Sequence, residues 1–189
     1  LWFEFASTYS YLTVSRAEKV LADAKIELVW RPFLLGPIFS DRGMNTSPFI
    51  LDPVKGRYMW RDMARRCEKY GLPFMRPNAF PMNGLKAARI MTAALDQPWC
   101  GAFARSVFTA QFGCGDDISD DRVLGNALET CGVAQEPWLD RAQLQETKDV
   151  LRAATDQARS LGVFGAPSMV VGDELFWGDD RLEDAILFA

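Results

Sequence analysis

The chain has 189 residues, enough to bury a substantial core, and its 49% hydrophobic and 24% charged residues are ordinary for one globular domain with or without a large insertion. Its formal net charge is -4, with no basic run or stripe, which argues against nucleic-acid binding. It contains no histidine, and this excludes a Ser-His-Asp triad, a Cys-His pair, histidine-ligated zinc and imidazole acid–base chemistry.

Leu1 to Phe5 reads as a short, mostly apolar strand suited to burial inside a sheet. From Tyr9 to about Ala24, Tyr11, Leu12, Val14, Ala17, Val20 and Leu21 recur at helical spacing. Ser7 therefore stands where a strand ends and a helix begins. A helix N-terminus presents unsatisfied N–H groups and a partial positive charge, so an anion held there gains from both and from a neighbouring hydroxyl. Ser7, Thr8 or Ser10 serving only as the helix N-cap fits the same local sequence.

Ile26 to Arg31 reads as a second strand, ended by Pro32, so the opening forms a βαβ unit with a parallel strand pair. A long loop rich in Pro, Gly, Asn and Ser is expected from Pro32 to Pro53, and loops of that length often carry function. From Val54 to Gln145 the pattern is helical throughout. Met59, Met63, Cys67 and Tyr70 line one face before Gly71. Leu85, Ala88, Met91 and Leu95 line the next, and Phe103, Val107 and Ala110 a third. Val123, Leu124, Ala127, Leu128 and Cys131 line a fourth, and Trp138 and Leu139 open a short fifth. Such stripes are core packing. Thr147 is expected to cap a helix carrying Val150, Leu151, Ala154, Ala158 and Leu161, which Gly162 ends. Ser168 to Val171 and Glu174 to Trp177 read as a hairpin around Gly172-Asp173. Asp180 and Glu183 have the spacing of a capping box for a last helix bearing Leu182, Ile186 and Leu187.

The predicted order is β-α-β, a large all-helical insertion, then α-β-β-α. That is an α/β thioredoxin-like core, with residues 1–50 and 146–189 in the core and 51–145 in the inserted helical domain. Cys67, Cys100, Cys114 and Cys131 include no C-x-x-C pair, so neither a redox dithiol nor a zinc ribbon is expected. Unpaired thiols and the lack of a Lys/Arg-led apolar leader point to the cytoplasm. No stretch approaches the roughly 20 apolar residues of a membrane span.

Three segments carry a resemblance. Glu4-Phe5-Ala6-Ser7-Thr8-Tyr9-Ser10-Tyr11-Leu12 resembles the "D-F-x-S-P-x-S-Y-L" opening of 2-hydroxychromene-2-carboxylate isomerases and of the related kappa-class glutathione transferases, members of the DsbA-like branch of the thioredoxin fold. Gly162-Val163-Phe164-Gly165-Ala166-Pro167 is similar to their "G-V-F-G-x-P", and Phe176-Trp177-Gly178-Asp179-Asp180-Arg181 to their "F-W-G-x-D-R". Asn45-Thr46-Ser47-Pro48 and Lys55-Gly56-Arg57-Tyr58-Met59 match more weakly. Thr8 replaces the family's proline and Glu4 its aspartate.

The resemblance implies glutathione as cofactor, a small-molecule aromatic substrate, a homodimer and a cis bond before Pro167. By position, Ser7 would activate the glutathione sulfur, Ala166 and Pro167 would pair with its cysteinyl part, and Asn45 would hold its backbone. Asp179 and Asp180 would hold its γ-glutamyl end, and Lys55 or Arg57 is a candidate for a substrate carboxylate. The activity implied is glutathione-dependent isomerisation through transient thiolate addition. A kappa-type transferase and a redox-inactive thioredoxin-like binding module are the alternatives. A nucleophile that arrives with a cofactor is consistent with a histidine-free chain.

Overall fold

In the structure, a computed structural model describing residues 1–189, the sheet has four short strands. β1 (Trp2–Phe3) runs parallel to β2 (Arg31–Pro32) and antiparallel to β3 (Ser168–Val171), and β3 forms the expected hairpin with β4 (Glu174–Trp177). The order is β2-β1-β3-β4. Helix α1 (Thr8–Asp23) makes the crossover between β1 and β2. Gly172 turns the hairpin at φ 57°, a backbone value that glycine adopts without a Cβ clash.

Both strands of the opening unit are shorter than expected. Ile26 to Trp30 lies outside the sheet, and Pro32 belongs to β2 instead of ending it. The Arg31 and Phe33 N–H groups donate to the Leu1 and Phe3 carbonyls at 2.9 and 3.2 Å. The intervening position needs no N–H toward β1, so an edge strand tolerates proline there.

The expected long loop is also partly helical. It contains α2 (Leu35–Ser40) and α3 (Pro48–Leu51), the latter capped by the Ser47 hydroxyl and started by Pro48. Helix α4 (Pro53–Tyr70) follows, capped by Asp52 and closed by Gly71 at φ 67°. Then come α5 (Leu85–Ala93), α6 (Cys100–Phe108), α7 (Asp121–Thr130), α8 (Glu136–Arg141) and α9 (Gln145–Ser160). A π-helical turn, Thr109–Cys114, extends α6. Thr147 is not a cap: α9 begins at Gln145, and Thr147 is buried within its first turn. Nor is there an Asp180–Glu183 capping box. A 3₁₀ turn (Asp179–Arg181) leads into α10 (Leu182–Phe188) without a side-chain cap, because Glu183 is drawn to Arg16 and Asp180 to Arg181.

The strand period of two divides the core. Phe3 and Phe5 point into one cluster with Tyr11, Leu12, Met59, Met63, Phe103 and Phe108, which α1 shares with α4, α5 and α6. Phe5 and Phe108 stand 5.1 Å apart between ring centroids, and Tyr11 stacks on Phe112 at 5.8 Å. Trp2 points the other way, into a cluster with Phe33, Ile38, Ala158 and Val163 under α9. Burying each such side chain contributes about 1.5–3 kcal/mol, so the β1–α1 junction is pinned from both faces. Cys67 lies in the first cluster, and burial raises its thiol to about 11. No helix is long and apolar enough to cross a membrane.

Candidate active site

The pinned junction delivers Ser7 to an open edge of the fold. The Ser7 N–H donates to the Glu4 carbonyl at 3.0 Å, closing a turn between strand and helix. Its backbone is extended and its hydroxyl oxygen accepts from the Ser10 N–H at 3.3 Å, so Ser7 is the N-cap of α1. The same hydroxyl donates to the Ala166 carbonyl at 2.9 Å. Of the neighbouring hydroxyls, Thr8 donates to the Met59 sulfur at 3.2 Å and Ser10 is fully buried. The first turn of α1 carries no acidic side chain, so nothing on the helix itself offsets its positive end.

Ala166 precedes Pro167, and the bond between them is cis. Pro167 is buried, and its carbonyl accepts from the Gly178 N–H at 3.0 Å, which ties this loop to the segment after β4. Gly165 lies directly beneath the Trp177 indole: a Cβ there would come within 2.3 Å of Nε1. Phe164 packs against the same ring, tilted, at 4.9 Å between centroids.

These pieces wall a cavity of about 1140 Å³, closed by α2 and α3, by α4 and by the segment before α5. That volume lies somewhat above the usual range for ligand pockets, about 300–1,000 Å³. Ser7, Asn45, Ala166, Asp179, Asp180 and Lys55 all reach its wall, whereas Pro167 stays behind Ala166 and Arg57 does not line it. Asn45 is exposed on the segment between α2 and α3. The structure thus brings together residues from positions 7, 45 and 166–180.

The two adjacent aspartates have different surroundings. Asp179 is 2% exposed. One of its carboxylate oxygens accepts from Thr13 at 2.9 Å and Arg16 at 3.1 Å, and the other from Tyr70 at 3.0 Å and Arg66 at 3.3 Å. Arg16 also donates to its carbonyl at 2.7 Å and pairs with Glu183. Asp179 therefore locks the 3₁₀ turn to α1 and α4. Asp180 is exposed and touches only Arg181, at 3.4 Å.

Three features of the cavity had no assigned role in the sequence. Arg66 is half-buried, bridges Asp62 and Asp179, and presents a cation to the wall. Its i,i+4 spacing from Asp62 was a usable signal. Tyr9 donates to Asp62 at 3.1 Å, and burial together with that carboxylate raises the pKa of its phenol. Glu4 is 7% exposed, accepts from the Leu35 N–H at 2.8 Å, and has no cationic partner. Burial pushes its carboxyl up to about 7, against the opposing pull of the Leu35 and Ala6 N–H groups. A lone acid inside the apolar run Leu-Trp-Phe-Glu-Phe was the signal for it.

Among known proteins, the chain is 28% identical over 183 residues to the 2-hydroxychromene-2-carboxylate isomerase of Sphingobium xenophagum, covering 96% of this chain and 92% of that one. It is 24% identical over 195 residues to glutathione S-transferase kappa 2 of Caenorhabditis elegans, covering 96% and 86%. A solved 2-hydroxychromene-2-carboxylate isomerase superposes with a TM-score of 0.85 at 26% identity, over 97% of this chain and 89% of that structure. The sequence model of the DSBA-like thioredoxin domain matches residues 1–185, and the chain belongs to that family.

Proposed function

We propose that the chain is a glutathione-dependent isomerase acting on 2-hydroxychromene-2-carboxylate or a close analogue. The observation that carries this reading is the Ser7 hydroxyl, set at the N-terminus of a 16-residue helix and 2.9 Å from the carbonyl before a cis-proline, on the wall of a large cavity. The isomerases of similar sequence and structure support the substrate class.

The residues present fit glutathione. Its sulfur would meet the unneutralised N-terminus of α1 and the Ser7 hydroxyl, whose proton would turn from the Ala166 carbonyl to the sulfur; both favour an anion. Ala166 offers backbone at the rim for pairing with the cysteinyl part. Asn45 supplies an amide to the tripeptide backbone, and exposed Asp180 a carboxylate for the γ-glutamyl ammonium. Asp179 holds Asp180 in place through its own buried contacts. When bound, glutathione would supply a thiol nucleophile at the cavity, whose wall includes none of the chain's four cysteines. Ser7 orients that sulfur, and Phe164, Trp177 and Tyr58 offer aromatic walls to a flat substrate. Lys55, Arg42 and Arg66 are the cations that reach the cavity for a substrate carboxylate.

The test is turnover of 2-hydroxychromene-2-carboxylate with and without reduced glutathione, following substrate absorbance and free thiol together. Isomerisation that requires glutathione and leaves its concentration unchanged supports the reading. Stoichiometric loss of thiol would instead mark a kappa-type transferase. No turnover and no glutathione binding would leave a binding module.

A further inference from the structure

We propose that Glu4 is the proton carrier of this cavity, taking the hydroxyl proton of a cyclic hemiketal substrate and returning it to the ring oxygen as the ring opens. The inference rests on the reading that the cavity accepts a hydroxychromene.

A 2-hydroxychromene-2-carboxylate carries a hydroxyl and a ring oxygen on the same carbon, so opening it moves one proton between two oxygens. The O–H bond breaks and the proton passes to the Glu4 carboxylate. The carbon–ring-oxygen bond then breaks, its electron pair stays on the ring oxygen, and the carbon keeps a new carbonyl. The ring oxygen takes the proton back from Glu4. The substrate's atoms are conserved and the carboxylate is regenerated, so no outside acid, base or oxidant is consumed. A histidine-free chain needs some other group for this transfer.

Glu4 is placed for that role. It lines the cavity three residues before Ser7 and is more than nine-tenths buried. The Leu35 N–H fixes Oε2 at 2.8 Å. Gly84, also on the cavity wall, packs closely against this corner: a Cβ there would sit 2.9 Å from the Phe5 Cβ and 3.4 Å from Oε1. No ion pair occupies the carboxyl; one of its oxygens caps the Leu35 N–H that opens α2, where Leu34 supplies no side-chain cap. A buried acid without a cation costs stability, and one that also lines a cavity is a candidate for proton transfer.

None of the other titratable groups on the cavity wall forms an ion pair with that carboxyl. Helix α2 carries none, and the segment before α5 presents none to the cavity. Helix α1 presents Tyr9, bound to Asp62, while α4 presents Lys55, Tyr58, Asp62 and Arg66. Arg42 lies against Phe164, Asp179 is fully bonded, and Asp180 faces Arg181. None of them hydrogen-bonds to Glu4, and only burial and two backbone amides account for its shifted titration, near neutral pH.

The experiment compares wild type, Glu4→Gln and Glu4→Asp in kcat, in kcat/KM from about pH 5 to about pH 9, and in glutathione affinity by calorimetry. Wild-type activity is expected to rise through about pH 7 as the carboxylate forms. Glu4→Gln should lose roughly 100-fold or more in kcat and lose that limb, with glutathione affinity changed less than about twofold. Glu4→Asp should keep a limb and part of the rate. In the ligand-free protein, infrared difference spectra between wild type and Glu4→Gln should show one carboxyl titrating near pH 7. If wild type converts the chromene but Glu4→Gln keeps its rate and pH limb, this proposal alone fails. If wild type does not convert the chromene at all, the reading of the cavity and this proposal fail together. Should Glu4→Gln not fold, a wild-type profile flat across pH 7 would still overturn it.

Discussion

The Ser7 hydroxyl donates a 2.9 Å hydrogen bond to the carbonyl of Ala166, a residue 159 positions away. The same oxygen accepts from the Ser10 N–H and so caps α1. One small side chain thus starts the helix and joins it to the loop before the cis-proline. Ser7→Ala should therefore cost stability through the lost cap, about 1 kcal/mol by urea denaturation. It should also lower glutathione-dependent turnover by about 100-fold or more, the scale of removing one preorganised donor at a reacting group. Loss of stability with turnover intact would leave Ser7 as a cap only.

Asp179 and Asp180 differ sharply in structural weight. Asp179→Asn leaves Arg16 and Arg66 facing a neutral group in a largely buried cluster, and breaking such a pairing costs about 3 kcal/mol or more. Asp180→Asn removes only an exposed contact with Arg181, so its effect on stability should stay within about 0.5 kcal/mol. Thermal or urea unfolding of the two variants checks the contrast. Equal effects would show that the Asp179 cluster does not lock the turn.

Glu4 makes stability depend on pH with a definite sign. Its carboxyl titrates near 7 in the fold, against an ordinary 4.5. Between those values the folded chain holds a proton that the unfolded chain has lost, so stability is fullest below the lower value, falls as pH rises toward 7, and levels off above it. Glu4→Gln carries no such proton. Its stability relative to wild type should rise by about 3 kcal/mol from about pH 4.5 to about pH 8, at 1.36 kcal/mol per pKa unit. A pH-independent difference between the two proteins in denaturant titrations would contradict this assignment.

Gly165 has no room for a side chain beneath Trp177, where a Cβ would fall 2.3 Å from the indole nitrogen. Gly165→Ala should push the indole off the loop and out of its packing with Phe164. Tryptophan fluorescence, with Trp177→Phe as the reference, should report a more solvated ring and glutathione affinity should fall. Unchanged emission would mean that the loop yields instead.

The architecture was readable wherever periodicity is strong. The α1 and α4–α8 helices and the hairpin at Gly172-Asp173 lie where the pattern of apolar residues places them, because burial decides those positions, whereas on α9 Leu151 and Ala158 are buried but Val150 and Leu161 of the expected stripe are exposed. The short elements were not readable. Helices α2 and α3 have 6 and 4 residues, too few for a periodic stripe, and they are held by contacts at the cavity and by Ser47. Pro32 was misread because its tolerance depends on which way its missing N–H would point, a property of the edge strand and not of the residue. At the site, the place of Ser7 at the start of α1 was legible from the strand-to-helix change, while a role beyond the cap was implied only by the family resemblance. The division of labour between Asp179 and Asp180 was not, since it depends on Thr13, Arg16, Arg66 and Tyr70, whose proximity is tertiary.

The most direct test of the account is titration calorimetry of the whole chain with reduced glutathione, for wild type and Asp180→Ala. One site is expected, with a Kd between about 10 μM and about 1 mM for wild type, weakened about tenfold in Asp180→Ala by loss of a charge-assisted contact. Absence of heat and of binding by the wild-type chain would contradict it, and the cavity beside Ser7 and Ala166 would then belong to a different ligand.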